Sequence, residues 1–380
     1  MRQKLLLICL LSTLLLPSLS VQATENPPLL LSQDWRWLKS DDPDFWWWAG
    51  EQAEPFEGCE GDRVESELIL SPTQPMVAYL STSEIWLPLM GEGWSGADFP
   101  NDLLICNLTT GEITEVAVQP ENATLAEQGA WYYDSHSVPT WSPDGTQLAW
   151  TEYTGDDVLQ LTVYDLATSD TKILVEDLNP DGIVSLPRRQ RVYWSDVGIG
   201  VDNIKGFEVY DVDMGDLLNT VTFPQYSQFQ FWITYEGKSY ISYNDTDNIW
   251  YLVDPLTGDS QVMPGLPELY SLITPDGLAL RYEENIPPPY NDITPPHRTP
   301  RWSVVDGSNI MPLDYEWQPF NNLVSISPDG QSIAYAHDDR LWQWQAGKAN
   351  IANGMEDFAL DTVISLVWTP MAWRVGLLGE

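Results

Sequence analysis

The sequence predicts an all-β chain folded as a β-propeller of four-stranded antiparallel blades, and three observations carry that prediction. A Ser/Thr-Pro-Asp-Gly turn between short apolar runs recurs along the chain. A second hairpin with a Gly, Asn, Asp or Ser turn follows most copies. Apolar residues nowhere keep a helical period over three turns.

Three copies of the first half-motif are complete: Ser142-Pro143-Asp144-Gly145 before Leu148-Ala149-Trp150, Thr274-Pro275-Asp276-Gly277 before Leu278-Ala279-Leu280, and Ser327-Pro328-Asp329-Gly330 before Ile333-Ala334-Tyr335. Pro presets its own φ, Asp bonds nearby backbone and Gly accepts a positive φ, so the chain reverses between two apolar strands. Four degenerate copies start at Ser71, Leu186, Thr234 and Thr369, pairing with Ala78-Tyr79, Tyr193-Trp194, Ile241-Ser242 and Gly376-Leu377. The seven starts recur at about 40 to 70 residues, the spacing of propeller blades with insertions. Seven blades are therefore favoured over six or eight.

Outer hairpins follow at 105–112, 163–170, 209–216, 252–259, 304–309 and 344–348, but the chain ends after the seventh copy without one. Two candidate strands near the N-terminus, 29–38 and 45–48, are expected to complete that last blade and remove its free edge. The domain reading is a signal peptide at 1–23, a segment supplying closing strands at 24–65, and the propeller at 66–380.

Residues 1–23 carry Arg2 and Lys4, an apolar run from Leu5 to Leu16, and Val21-Gln22-Ala23 with small residues at the positions signal peptidase reads. The expectation is a periplasmic or extracellular protein released by cleavage. No later segment is apolar over the length a membrane helix needs, so no membrane insertion is expected. In an oxidising compartment Cys59 and Cys106 are expected to pair, the alternative being two separate buried thiols. The 56 acidic residues against 17 basic ones give a formal charge of -39, which repels phosphate backbones and excludes a nucleic-acid role.

The Ser-Pro-Asp-Gly, Leu/Ile-Ala-Trp/Tyr, Tyr-Asp-Leu and Thr-Gly-Asp/Glu vocabulary resembles the WD-like repeats of TolB-type bacterial β-propellers, over most of residues 66–378. The resemblance implies a fold and an extracytoplasmic setting. It implies no active-site residue, because these turns recur in binding proteins, lyases and peptidase propellers alike.

Motifs of chemistry are scarce. The three histidines, His136, His297 and His337, lie in predicted loops or at strand ends, and the chain has no His-Glu-x-x-His, no Gly-x-Ser-x-Gly and no phosphate-binding Gly loop. No catalytic residue, metal or cofactor is assigned. Calcium at Asn244, Asp245 and Asp247 is a weaker alternative, because the spacing lacks the distal Glu of a calcium loop. Arg188, Arg189 and Arg191 crowd into what reads as the first turn of the third repeat. They are a candidate anion contact, with pairing to neighbouring acids as the alternative.

The long insertions fall at 82–102, 196–205 and 284–300, joining second to third strands, and at 119–136, joining one blade to the next. In an antiparallel blade these connections share one end. They carry Trp94, Trp131, Tyr132, Tyr290, His297 and Arg298, the candidate ligand contacts, unless the insertions are surface excursions without function. The functional expectation is a monomeric, non-catalytic scaffold that binds a protein or extended polymer. The alternative is a glycan-active hydrolase or lyase using carboxylates in the central funnel.

Overall fold

The computed structural model describes residues 29–33, 45–49, 52–56, 58–59, 63–64, 66, 68–82, 101–118, 136–154, 158–178, 191–203, 206–223, 230–235, 237–245, 249–263, 272–273, 278–284, 300–306, 309–316, 324–327, 332–337, 340–345, 348–351 and 363–368. Among them every regular element is a strand, and the strands pair into seven antiparallel sheets. Sheet 1 holds Ile69–Leu70, Met76–Thr82, Asp102–Asn107 and Ile113–Ala117, with Arg63–Val64 added beside the second strand. Sheet 2 holds Thr140–Trp141, Gln147–Thr154, Val158–Asp165 and Asp170–Val175. Sheet 3 holds Val192–Ser195, Gly198–Asn203, Gly206–Tyr210 and Leu217–Thr222, and sheet 4 holds Gln230–Tyr235, Lys238–Asn244, Trp250–Val253 and Ser260–Val262. Sheets 5 and 6 follow the same order, from Leu272–Ile273 to Asn309–Glu316 and from Val324–Ile326 to Lys348–Ile351.

Sheet 7 is built from both ends of the chain: Val363–Trp368, then Leu29–Gln33, Phe45–Ala49 and Gln52–Pro55. Leu29 pairs with Trp368 and Leu31 with Leu366. The closure predicted from the sequence is therefore present, with a different division of strands. The sequence reading gives the last blade two C-terminal strands, whereas the Leu-Leu-Leu-Ser run takes the second position and a third N-terminal strand, Gln52–Pro55, forms the outer edge. The expected second strand around Gly376-Leu377 lies outside the described residues.

First strands of successive sheets lie against one another: Ile69–Leu70 against Thr140–Trp141, Thr140–Trp141 against Val192–Ser195, and Val324–Ile326 against Val363–Trp368. They form the inner wall of a propeller. The core lies between sheets, and strand alternation explains it. Val77 and Tyr79 pack with Leu30 and Phe45 of the closing sheet, whereas Ala78 and Leu80 pack with Trp141, Leu148 and Trp150 of sheet 2. Leu104 with Cys106 and Leu103 with Ile105 divide in the same way. A strand buried on both faces has to be apolar at successive positions, which is why these runs do not alternate with polar residues.

The turns are built as their residues dictate. Ser142 Oγ accepts from the Thr146 and Gln147 amides at 3.1 and 2.9 Å while donating to Asp144 Oδ1 at 2.6 Å. The Ser142 hydroxyl, followed by the Thr146 donors, holds the Asp144 carboxyl below the usual carboxylate range. Gly145 has φ +70, and a Cβ there would collide with Thr73 Oγ1 and Ser71 Oγ of the equivalent turn in sheet 1. Thr73 Oγ1 donates to the Asp144 carbonyl at 2.7 Å, so adjacent Ser-Pro turns interlock along the inner ring.

The hairpins between third and fourth strands share another device. The side-chain oxygens of Asn107, Asp165, Asp211 and Asp254 each accept two backbone amides of the turn, and Gly111, Ser169, Gly215 and Gly258 close it at positive φ. Part of the acidic composition is thus turn chemistry rather than free surface charge.

The third repeat corrects the sequence reading. Tyr193 and Trp194 lie on the first strand of sheet 3, not the second, and the reversal is a two-residue hairpin at Asp196-Val197 with Ser195 paired to Gly198. Trp194-Ser195 therefore corresponds to Trp141-Ser142, and Leu186-Pro187 precedes the blade. It follows that 196–205 is not a long insertion. Residues 198–203 are a strand, ending at a hairpin in which Asn203 pairs with Gly206.

Sheet 7 is fastened to sheet 1 beyond its packing. The structure joins Cys59 to Cys106, with Cα atoms 5.6 Å apart, and the Cys59 amide donates to the Gly111 carbonyl at 3.2 Å. Cys59 follows the closing strands directly and Cys106 sits on the third strand of sheet 1, so the link ties the closure to the first sheet.

Candidate functional site

Connections between second and third strands, and from a fourth strand to the next sheet, leave from one end of each antiparallel sheet. Three of the predicted insertions leave from that end: after Thr82, after Glu284, and between Ala117 and His136. The candidate contacts Trp94, Trp131, Tyr132, Tyr290, His297 and Arg298 fall outside the described residues, as do Arg188 and Arg189. What is described is the foot of two insertions, and it is a buried polar network.

Asn101 ends the first insertion and His136 ends the fourth. The His136 amide donates to Asn101 Oδ1 at 3.1 Å, and Asn101 Nδ2 donates to the His136 carbonyl at 3.4 Å. His136 Nδ1 lies 2.7 Å from the Asn101 carbonyl oxygen and 3.1 Å from its Oδ1. Both neighbours accept, so Nδ1 carries the proton in the assigned tautomer. Nε2 faces Glu152 Oε2 at 3.8 Å. Burial holds the imidazole below its ordinary pKa, opposed by the Glu152 charge and the Asn101 carbonyl.

Glu152 is held in turn by its own sheet. Its carboxylate accepts from Trp150 Nε1 at 3.0 Å, from Thr162 Oγ1 at 2.9 Å and from Gln160 Nε2. Residues 148, 150 and 152 share a strand face, which brings the indole N–H onto the carboxylate. The reciprocal Asn101–His136 hydrogen bonds root two insertions to each other, and the backbone bridge between His136 and Glu152, continued by the Ser137 amide donating to the Thr151 carbonyl, ties them to sheet 2.

A second feature lies at the same end of sheet 3. Asp202 is near the end of its strand, and its amide donates to the Arg191 carbonyl at 2.9 Å. Burial pushes the Asp202 carboxyl up to about 6, and the Arg191 charge draws it partly back. Arg191 immediately precedes the first strand of sheet 3, so it is not in the first turn of the repeat as its sequence position implies. The corrected register puts Arg191 at the entry to the blade, at the insertion-bearing end.

Asp245, one of the calcium candidates, closes a turn: its Oδ1 accepts from the Ile249 amide at 2.9 Å. Asp247 lies outside the described residues. No group of three His, Cys, Asp or Glu side chains among the described residues has metal-binding geometry. Sequence reasoning missed Asn101, Glu152 and Asp202. The available signal was an acid inside an otherwise apolar strand, Leu-Ala-Trp-Thr-Glu, where a carboxylate needs donors to be retained.

Seven sheets, inner strands in contact and a closing sheet shared by both termini define the chain as a β-propeller. No protein-family model and no curated protein sequence matches it. Among solved structures it is similar to TolB from Acinetobacter baumannii at 13% identity, covering 91% of this chain and 67% of that one, with a TM-score of 0.42. It is also similar to the β-propeller domain of the Trilobed protease from Pyrococcus furiosus at 16% identity, covering 76% and 84%, with a TM-score of 0.46. An oligogalacturonate lyase from Vibrio parahaemolyticus is similar at 13% identity, covering 81% and 82%, with a TM-score of 0.49. These likenesses are of fold.

Proposed function

We propose that the chain is an exported, monomeric, non-catalytic seven-bladed propeller that binds a protein or an extended polymer through the end carrying the long insertions. The observation that carries this reading is the Asn101–His136 junction. Two long connections, 83–100 and 119–135, share one buried root, whereas the turns at the opposite end are tight and self-satisfied. Anchoring a loop at its foot lowers the entropy lost when it engages a ligand. In this reading Trp94, Trp131, Tyr132, Tyr290, His297 and Arg298 make the contacts, with Arg188, Arg189 and Arg191 as the candidate contacts of an anionic group. The signal-like residues 1–23 and the Cys59–Cys106 pair support export to an oxidising compartment.

The test is capture from the native envelope fraction by the mature protein and by a Trp94→Ala/Tyr290→Ala/Arg298→Ala variant. The wild type should retain a partner that the variant loses at unchanged melting temperature. Equal retention by both overturns the reading.

One observation favours a second reading, a glycan-active hydrolase or lyase. Asp202 is a half-buried carboxyl raised to about 6 at the insertion-bearing end, the condition of a general acid. Turnover of an acidic or neutral oligosaccharide, abolished by Asp202→Asn, would establish that reading in place of the first.

A further inference from the structure

Outer strands of a propeller are free edges, and most of those described here carry the usual protection. Ile113–Ala117 holds Glu115, and Asp170–Val175 holds Asp170 and Lys172. The outer strand of sheet 3 differs: Leu217–Thr222 reads Leu-Leu-Asn-Thr-Val-Thr, six residues without a charge and, among the described residues, last in its sheet. Leu217 is 53% exposed and Leu218 44%, and in the turn before them Met214 is 74% exposed. Ile173 and Leu256, on the neighbouring outer hairpins, are exposed as well.

The edge is also held in place. Lys172 Nζ donates to the Asp213 carbonyl at 2.6 Å, a Cβ on Gly215 would strike the Leu174 carbonyl oxygen, and Asn219 Nδ2 donates to the Pro255 carbonyl at 3.0 Å. Sheet 2 thus braces the turn of the hairpin, and sheet 4 braces its outer strand. The register shift at Val209/Tyr210 leaves Leu218 as a bulge, so the regular ladder open to extension is Asn219–Thr222, with Leu217 and Leu218 as an apolar platform beside it.

We infer that Leu217–Thr222 is a docking edge for an extended peptide segment of a partner, uncharged in its centre and flanked by Lys or Arg, which adds a fifth strand to sheet 3. Charge selects the occupant. Asp211, Asp213 and Asp216 border the strand and the whole chain carries -39, so a second copy is repelled and a basic-flanked segment is attracted. Backbone hydrogen bonds supply affinity in such strand addition, and the alternate side chains supply specificity.

The probe is a fluorescein-labelled peptide, Lys-Thr-Val-Thr-Val-Thr-Val-Lys, titrated into the mature protein at physiological ionic strength. Saturable binding should slow amide exchange at 219–222. A copy with alternate amides N-methylated keeps the charge and removes the ladder, and should bind at least tenfold more weakly to the same wild-type protein. Leu217→Lys/Leu218→Lys should weaken the unmodified peptide by at least tenfold at unchanged melting temperature. Equal binding of the N-methylated peptide means charge alone and overturns the proposal, as does no saturation or full affinity in the variant. Dimers in sedimentation that exclude the peptide would assign the edge to a second copy and overturn it equally.

Discussion

Breaking the Cys59–Cys106 link is the perturbation whose size the structure sets most directly. The two residues are 47 apart in sequence, and they enclose the second strand of sheet 1 together with the first long insertion. Chain-entropy bookkeeping assigns closure of a loop of that length about 4 kcal/mol. A domain whose total stability is on the order of 5 to 15 kcal/mol loses a large share of it without that constraint. Cys106 is fully buried and Cys59 nearly so, so Ala is the cleaner replacement than Ser, which would bury an extra hydroxyl. Urea unfolding of the mature chain, followed by the fluorescence of its 19 tryptophans, reads the effect on global stability. Reduction of the wild type and the Cys59→Ala/Cys106→Ala variant should each lower the unfolding free energy by about 4 kcal/mol. Reductant should then leave the variant unchanged. Two titratable thiols in native-source protein, or wild-type stability indifferent to reductant, would refute the reasoning and remove one support for an oxidising compartment.

Gly145→Ala combines a left-handed backbone with a collision against the turn of sheet 1, and should cost about 2 to 4 kcal/mol in urea unfolding. Gly237→Ala, at φ +74 with open space around it, should cost only about 1 to 2 kcal/mol; equal losses would mean the interlocked turns contribute nothing. Asp202 is raised in the folded state to about 6 from an ordinary value near 3.8, so the fold prefers it protonated and its penalty grows as pH rises from 4 through 6. Asp202→Asn should therefore raise the melting temperature at pH 8 and change little at pH 4, and an increase of the same size at both would show that charge burial is not the cause. Deleting residues 24–50 removes two strands of the closing sheet and leaves Val363–Trp368 unpaired, so light scattering should report aggregation; a monomeric, cooperatively folded deletion variant would contradict terminal closure.

What was legible in the sequence was local. Ser142-Pro143-Asp144-Gly145 announces its turn because Pro and Gly set their own backbone angles while Ser142 and Asp144 bond backbone two to five positions away, and the hairpins opened by Asp165, Asp211 and Asp254 work over the same range. The third repeat was misplaced because Leu186-Pro187 imitates a turn start, whereas the true reversal at Asp196-Val197 has neither Pro nor the Asp-Gly pair. Closure by N-terminal strands was legible from a missing outer hairpin. Its division into one and three strands depends on Leu29 meeting Trp368, a pairing across the whole chain that no local pattern encodes. The Asn101–His136 root joins residues 35 apart, and Glu152 is retained only because Trp150, Gln160 and Thr162 converge on it in the folded sheet. Such convergence is a property of the register.

Amide exchange of the mature protein, alone and with its captured ligand, reads the binding end directly. Protection is expected in the peptides spanning 83–101, 119–136 and 285–299, with the His136 amide among the slowest. Protection confined to the tight turns at 142–146 and 165–170, with those three segments unchanged, would contradict binding at the insertion-bearing end.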